Sequence, residues 1–304
     1  MIHPDQVSEM LYAAARKTTS SYPSPIPTVI PTPTEYQYVG EAGRRTLWVL
    51  FVAMTLVSGA FALLSWKVPV SKRIFHVTAT LMTLVSALAY FAMASGQASS
   101  LSCHTVRDRH SHDIPDTHHD VCRQIFWARY VNWGLTTPLL LLNLCLLAGV
   151  DGAHTLMAIL ANLVMVLSGL FAAYGSEHTA QKWGWFVIAC LGYVFAVWHV
   201  GLHGTNLVRS RGGRLQKLWQ ALAIYSLTVL AAYPIIWAIS TLARKTTVDT
   251  EIIIFAVLDV LSQAVFGFWL LTSHRAMAET NVDLGGYWSQ GLGTEGRIRI
   301  GEDE

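Results

Sequence analysis

Seven long apolar stretches separated by polar segments form the pattern of this chain. They cover residues 46–66, 74–97, 124–147, 155–175, 182–203, 215–239 and 252–273. Each is close to the roughly 20 residues that an α-helix needs to cross the hydrocarbon core of a bilayer. None is interrupted by more than one formally charged residue. The pattern predicts an all-α integral membrane protein, a bundle of seven transmembrane helices.

Composition supports this interpretation and excludes others. Hydrophobic residues make up 53% of the chain, charged residues 13%, and the mean hydropathy is +0.40. Soluble proteins contain roughly a quarter charged residues. The net charge of +2 comes with no phosphate-binding loop or basic stripe, so we expect no nucleic-acid partner. The expected partner is the lipid bilayer, while homo-oligomerisation and a protein partner stay open.

The pattern divides the chain into three parts. We predict a disordered, extracellular tail rich in Pro, Ser and Thr over residues 1–45, a membrane domain over 46–273 and an acidic cytoplasmic tail over 274–304. Lysine and arginine are slightly more frequent in the loops after stretches one, three and five. This bias favours an outside N-terminus, and we expect the plasma membrane.

The long second loop combines cysteines with histidines and aspartates. Cys103 and Cys122 flank it and are candidates for a disulfide, the alternative being two unpaired thiols. The histidines of this loop are His104, His110, His112, His118 and His119. Imidazole and carboxylate bind zinc or copper, but no helical spacing fixes their geometry here. We predict a hydrated hairpin and no metal site.

Two charges lie at membrane depth in the sequence. Arg129 is near the start of stretch three and Asp259 is inside stretch seven, while Glu251 is at the mouth of stretch seven. An isolated charge in hydrocarbon costs several kcal/mol, so we predict that Arg129 and Asp259 form a buried charge pair. Such a pair is typical of a functional site in a membrane, although it can also merely fix packing.

Three segments give these charges a context. RYVNWGLTTPLLLLNL, AYPIIW and LDVLSQAVFG, on helices three, six and seven, closely resemble the signature segments of microbial (type 1) rhodopsins, and GLFAAYGSE, QKWGW and GRIRIGED are similar to the fungal branch. The resemblance covers roughly residues 40–304. It implies the remnant of a retinal pocket, formed by Tyr90, Trp133, Thr136, Thr137, Phe186, Tyr233, Trp237 and Gln263. It also implies that Tyr90 and Tyr233 help Arg129 to hold Asp259.

The sequence departs from the family at reactive positions. The resemblance places a lysine that carries retinal as a protonated Schiff base four residues after Asp259, where this chain has Gln263. A carboxamide is not nucleophilic, so we predict no covalent attachment there. Asn132 and Asn143 stand where pumps of the family have a proton acceptor and a proton donor, and an amide does neither near neutral pH.

These departures lead to a functional hypothesis. We predict a fungal opsin-related protein that is not an enzyme, not a covalent retinal pigment and not a proton pump, and that has no covalent cofactor. The resemblance implies a stress-related or chaperone-like role for such a chain. The alternatives are a retinal-family photoreceptor or light-driven ion transporter, or a protein that binds retinal or another apolar ligand non-covalently.

Overall fold

The computed structural model describes residues 32–69, 73–110, 116–175, 179–209 and 213–276. Within these ranges, seven helices are long and apolar enough to cross a membrane. They are α1 (Glu41–Trp66), α2 (Ile74–Ala94), α3 (Ala128–Ala148), α4 (Gly152–Tyr174), α5 (Ala180–Val208), α6 (Gly213–Leu242) and α7 (Val248–His274). The predicted fold class, a bundle of seven transmembrane helices, is confirmed.

Local sequence signals set several helix ends. The side chain of Asp151 accepts a hydrogen bond from the backbone N–H of His154 at 2.9 Å and thereby caps the start of α4. Thr247 caps α7 in the same way, through the backbone N–H of Thr250 at 3.2 Å. Gly149 has a φ of 74°, a left-handed conformation that ends α3 and that glycine adopts without strain.

In the described part of the chain, three helices contain π-helical segments, which are Trp198–His203 in α5, Ala238–Leu242 at the end of α6 and Val260–Val265 in α7. The wider turn of a π-helix changes which side chains share a face, and such segments are frequent at functional sites. The segment in α7 directly follows Asp259 and contains Gln263.

Helix α3 is the most enclosed of the seven. In its most apolar window 61% of the residues are buried, compared with 28% in α1 and 22% in α5. The outer helices expose large apolar side chains such as Leu56, Leu191 and Phe195, as expected for surfaces that face lipid. Side chains that α3 shares with its neighbours are therefore best placed to form a buried site.

The chain divides into two compact units, Met1–Glu35 with Cys103–Val121, and Tyr36–Ser102 with Cys122–Glu304. A three-stranded sheet has the order β1-β3-β2, formed by β1 (Glu35–Gln37), β2 (Ser100–Asp108) and β3 (Thr117–Ile125). Because β1 and the start of α1 fall inside residues 1–45, the predicted disordered tail is too long there. Residues 1–31 and 277–304, which hold most of the predicted tails, lie outside the described residues.

The long loop forms ordered contacts in the smaller unit. His119 Nδ1 lies 2.8 Å from a carboxylate oxygen of Asp108, and this hydrogen bond lowers the pKa of Asp108. Arg107 donates to Asp116 at 2.5 Å and lowers the pKa of that carboxyl. Cys103 and Cys122 are both disulfide-bonded, and Cys145 is a free thiol. His112 lies outside the described residues.

Candidate functional site

Asp259 is the centre of a buried polar network inside the bundle. Its side chain is 1% exposed. Its carboxylate accepts hydrogen bonds from the hydroxyls of Tyr90 on α2 and Tyr233 on α6, both at 2.7 Å, and from the indole N–H of Trp133 on α3 at 2.9 Å. The amide of Asn132 adds a longer contact at 3.4 Å. Three helices thus supply neutral donors to one carboxylate of α7, which offsets much of the cost of burying it.

The predicted pair of Arg129 with Asp259 is wrong. Arg129 forms a very short ion pair with Glu251, and the guanidinium lies 4.7 Å from the ring centre of Phe255. Arg123 pairs with the other oxygen of Glu251 at 2.8 Å. Among the residues that the structure describes, no ion pair joins Arg129 to Asp259. Glu251, predicted only to lie at the mouth of the helix, is the real counterion.

The prediction failed because Arg129 and Asp259 lie at different heights along the helix bundle. Arg129 is the second residue of α3 and Glu251 the fourth of α7. With seven membrane helices, α3 and α7 cross in the same direction, so both residues lie near the same end. Asp259 is eight residues further along α7, which is about 12 Å at 1.5 Å per residue. The two charges therefore lie at different levels, although both are buried.

Gln263 lies one turn beyond Asp259 and is 2% exposed. Its Oε1 is in very close contact with the hydroxyl of Ser86, and its Nε2 lies 3.4 Å from Thr136 Oγ1. Ser86 also donates to Asn132 Oδ1 at 2.8 Å. Because a hydroxyl has one hydrogen, Ser86 can donate to only one of the two amides. Thr136 Oγ1 accepts from Gln263 Nε2 and donates to the carbonyl oxygen of Asn132 at 2.8 Å, so Gln263 is joined to the network around Asp259 through Ser86, Thr136 and Asn132.

The two asparagines at the predicted proton-carrier positions lie in different surroundings. Asn132 is fully buried inside the network around Asp259. Asn143 is also fully buried, accepts a hydrogen bond from Thr78 at 2.6 Å and lies 3.7 Å from the sulfur of Met82. Asn143 is eleven residues further along α3, so the two amides do not form one site.

A narrow apolar cavity of about 50 Å³ lies beside this network. Its lining residues are Tyr130, Trp133, Met165, Val166, Gly169, Phe186, Ala189, Tyr233, Pro234 and Trp237. Phe186 and Trp237 are stacked with their ring centres 5.7 Å apart. This volume is well below the roughly 300–1,000 Å³ of small-molecule sites, so the side chains have to move apart before a flat apolar ligand can enter between the flat aromatic walls.

The cavity contains only part of the predicted pocket. Trp133, Phe186, Tyr233 and Trp237 line it. The cavity is not lined by Tyr90, Thr136, Thr137 or Gln263. Of these four, Tyr90, Thr136 and Gln263 belong to the adjoining polar network. Sequence reasoning missed Tyr130, whose hydroxyl accepts a hydrogen bond from Trp237 Nε1 at 2.8 Å. The sequence did contain a signal for Tyr130. It lies one turn before Trp133 on the same face of α3, so the two side chains were expected to be neighbours.

Together, the cavity and the network place aromatic walls beside a buried carboxylate. Trp133 and Tyr233 belong to both parts, since their rings line the cavity and their polar atoms donate to Asp259. A ligand in the cavity would therefore contact the same side chains that hold the buried carboxylate. Such an arrangement is typical of a helical bundle that couples a ligand to a buried charge.

The chain belongs to the bacteriorhodopsin-like protein family, whose model matches residues 42–277. It is 62% identical to Opsin-1 of Neurospora crassa over 100% of both chains. It is 32% identical to the opsin-like protein carO of Fusarium fujikuroi, over 77% of this chain and 74% of that protein. A crystal structure of a light-driven proton pump from Leptosphaeria maculans is 52% identical, covers 81% of this chain and 99% of that one, and has a TM-score of 0.78.

These relatives confirm the predicted fungal and microbial rhodopsin resemblance and contradict the predicted function. We expected neither a pigment nor a pump, and a stress-related or chaperone-like role. A light-driven proton pump at 52% identity and an opsin at 62% favour the alternative instead, a retinal-family photoreceptor or light-driven ion transporter. The prediction gave three amide positions more weight than the similarity of the rest of the chain.

Proposed function

We propose that this protein is a retinal-family photoreceptor that holds retinal in the aromatic cavity between α3, α4, α5 and α6, whose side chains move apart to admit it. The observation that carries the proposal is the aromatic lining of the cavity, formed by Trp133, Phe186, Tyr233 and Trp237. Relatives named as opsins and as a light-driven pump support the same ligand class.

The residues fit an apolar polyene better than they fit a covalent link at α7. Phe186 and Trp237 present parallel rings at 5.7 Å, and Trp133 lies edge-on to Tyr233 at 5.1 Å. Retinal, when bound, supplies the group that absorbs light. Gln263 offers an amide in place of an amine, so we propose that retinal is packed in the cavity and that its polar end faces the network of Gln263 and Ser86.

Binding can be tested with purified protein and all-trans-retinal. We expect saturable quenching of tryptophan fluorescence, because Trp133 and Trp237 line the cavity, together with a change in the retinal absorption spectrum. Gly169→Leu places a side chain in the cavity and should weaken binding at least about tenfold, or roughly 1.4 kcal/mol. Gly184→Leu is the matched control, since Gly184 is exposed and a Cβ there meets no atom within 4 Å.

The outcomes separate the possibilities. Retinal that causes no saturable quenching, or that binds equally well to Gly169→Leu, would overturn the proposed site. Reduction with borohydride before mass mapping tests the mode of binding. A covalent adduct on a lysine would overturn the packed mode, and Lys182, buried and one turn before Phe186 on α5, is the first position to examine.

Light-driven ion transport is the second candidate function, favoured by the 52% identity to the Leptosphaeria maculans pump. Vesicles that contain the protein and retinal are illuminated while the external pH is recorded. A light-dependent pH change that a protonophore removes would support transport. A protein that binds retinal and causes no such change would leave the photoreceptor function alone.

We further propose a location in the plasma membrane with the N-terminus outside and no enzymatic activity. The small excess of lysine and arginine in the loops after α1, α3 and α5 supports this orientation. Protease treatment of intact cells, followed by detection of an N-terminal epitope, tests it. An epitope that survives until the cells are broken open would reverse the orientation.

A further inference from the structure

A cluster of three histidines lies at one end of the bundle, away from the Asp259 network. His154 is in the first turn of α4, and His199 and His203 are near the end of α5. One nitrogen from each imidazole can be chosen so that all three lie within 4.8 Å of one another. The cluster is formed by two helices whose histidines are 45 residues apart in sequence.

The contacts within the cluster do not satisfy all of its nitrogens. His154 Nδ1 and His199 Nδ1 are 3.0 Å apart, and the rings of His154 and His203 are 4.0 Å apart between centres. His203 Nδ1 is buried and has no hydrogen-bond partner among the described residues. A buried imidazole nitrogen without a partner is uncommon, because the lost hydrogen bond to water is not replaced. A bound cation would give all three nitrogens a partner.

The spacing matches what a transition metal requires. Zinc binds imidazole nitrogens at about 2.0–2.1 Å, which places two tetrahedral ligands roughly 3.3 Å apart. The nitrogens lie between 3.0 Å and at most 4.8 Å apart, and the packed rings of His154 and His203 would turn to aim their lone pairs at one ion. His199 and His203 are four residues apart on one helix, a spacing that lets both rings point to the same ion.

A carboxylate lies next to the cluster. Asp151 Oδ2 lies 3.8 Å from His154 Nε2, on the opposite side of the ring from the Nδ1 that faces His199. Histidines that bind a metal commonly donate their other ring N–H to a carboxylate, which fixes the ring and makes it a better ligand. The side chain of His154 is 37% exposed, so an ion can reach the cluster from the aqueous side.

We propose that His154, His199 and His203 form a binding site for a divalent transition metal of the zinc type. Three imidazoles leave a fourth tetrahedral position for water or an anion. A bound ion would link α4 to α5, so metal and bundle stability would be coupled. The site involves no residue of the proposed retinal cavity and can be tested separately from it.

The test uses full-length protein without a histidine tag, freed of metal by a chelator and then dialysed against ZnCl₂. We expect one tightly bound zinc ion per chain. His199→Asn and His203→Asn should each weaken binding by more than tenfold. Asp151→Asn should weaken it about 10–100-fold through the ring orientation of His154, because asparagine still caps α4 as well as aspartate does.

Two controls keep the test decisive. His118→Asn changes an exposed histidine of the His-rich loop and should leave zinc binding unaltered. If a variant fails to fold, the visible spectrum of Co²⁺ bound to the unaltered protein is measured instead. This spectrum should show the strong bands of tetrahedral coordination. Zinc that does not bind, that binds equally well to His199→Asn and His203→Asn, or that is lost in His118→Asn would overturn the proposal, as would an octahedral Co²⁺ spectrum.

Discussion

Replacing Glu251 by glutamine should be among the most destabilising single changes at the polar end of the bundle. Its side chain is 11% exposed and compensates two guanidinium groups, those of Arg123 and Arg129, which are 3% and 5% exposed. Glu251→Gln keeps the size of the side chain and removes its charge. Both arginines then remain buried without an anion among their described contacts.

The size of the effect follows from these distances. Two unit charges 2.8 Å apart, the separation of Arg123 and Glu251, attract each other by about 6 kcal/mol at an effective dielectric constant of 20. The cost of desolvating the two charges opposes most of this attraction. When only one partner is removed, the desolvation cost of the other charge remains. Breaking a buried pair in this way costs about 3–5 kcal/mol. We expect that loss for Glu251→Gln.

The two arginines should respond differently from the glutamate. Arg123 also donates to Gln37 and to the carbonyl oxygen of Thr246, and Glu251 keeps Arg129 when Arg123 is removed. Arg123→Gln should therefore cost less than Glu251→Gln. Because all three groups interact, the double variant Arg123→Gln/Glu251→Gln should be non-additive, with a coupling energy of about 0.5–3 kcal/mol.

The free energy of unfolding can be measured by titration with a denaturing detergent in mixed micelles. Glu41→Gln is the matched control, since Glu41 pairs with Arg45 on α1 with both side chains largely exposed. Exposed pairs contribute about 0–1 kcal/mol. If Glu251→Gln costs no more than Glu41→Gln, the buried charges are compensated by something else and the reasoning fails.

Three further predictions concern other parts of the chain. Tyr233→Phe removes a donor to the buried carboxylate of α7 and should lower the free energy of unfolding by about 1.5–3 kcal/mol. The hydroxyl of Tyr193 donates to a neutral carbonyl, so Tyr193→Phe should cost only about 0.5–1.5 kcal/mol. Equal losses in the same detergent titration would contradict this prediction. Gly204→Ala should lower thermal stability by about 1–3 kcal/mol because its Cβ would lie 2.3 Å from a tryptophan ring, and Gly184→Ala, which meets nothing, should not. The pKa of Asp108 is lowered by its hydrogen bond to a histidine, so this contact stabilises the smaller unit above the ordinary carboxyl pKa. The stabilisation is lost as pH falls through the lowered pKa, and hydrogen exchange of the strand amides should then rise. Exchange that does not rise over that acid range would refute this prediction.

The fold could be predicted because one physical constraint dominates it. A helix that crosses hydrocarbon must be apolar for about 20 residues, so seven apolar stretches identify seven helices without any tertiary information. The helix ends were less certain, because polar residues are tolerated at the membrane surface. α1 begins at Glu41 rather than at residue 46, and the residues before it include a strand.

The candidate site was predicted in part, and its errors have a common origin. Tyr90 and Tyr233 were expected beside Asp259 and lie there. The partner of Arg129 was not predicted, because choosing between Glu251 and Asp259 requires the level of each residue along helices that meet only in the folded chain. The histidine cluster was missed for the same reason, although the four-residue spacing of His199 and His203 was visible.

The separation of Asp259 from the arginines has a consequence for how the bundle works. Glu251 has two counterions, Arg123 and Arg129, and both are close to the polar end of α3. Among the described residues, the side-chain hydrogen bonds of the deeper carboxylate, Asp259, all come from uncharged groups, namely two phenols, an indole and an amide. A neutral donor that turns away from the carboxylate does not itself become an unpaired buried charge, whereas an arginine that turned away would add a second one. Since the rings of Trp133 and Tyr233 also form the cavity wall, a ligand that moves either ring changes the hydrogen bonds of Asp259 directly, while the ion pairs of Glu251 keep α3 and α7 in place.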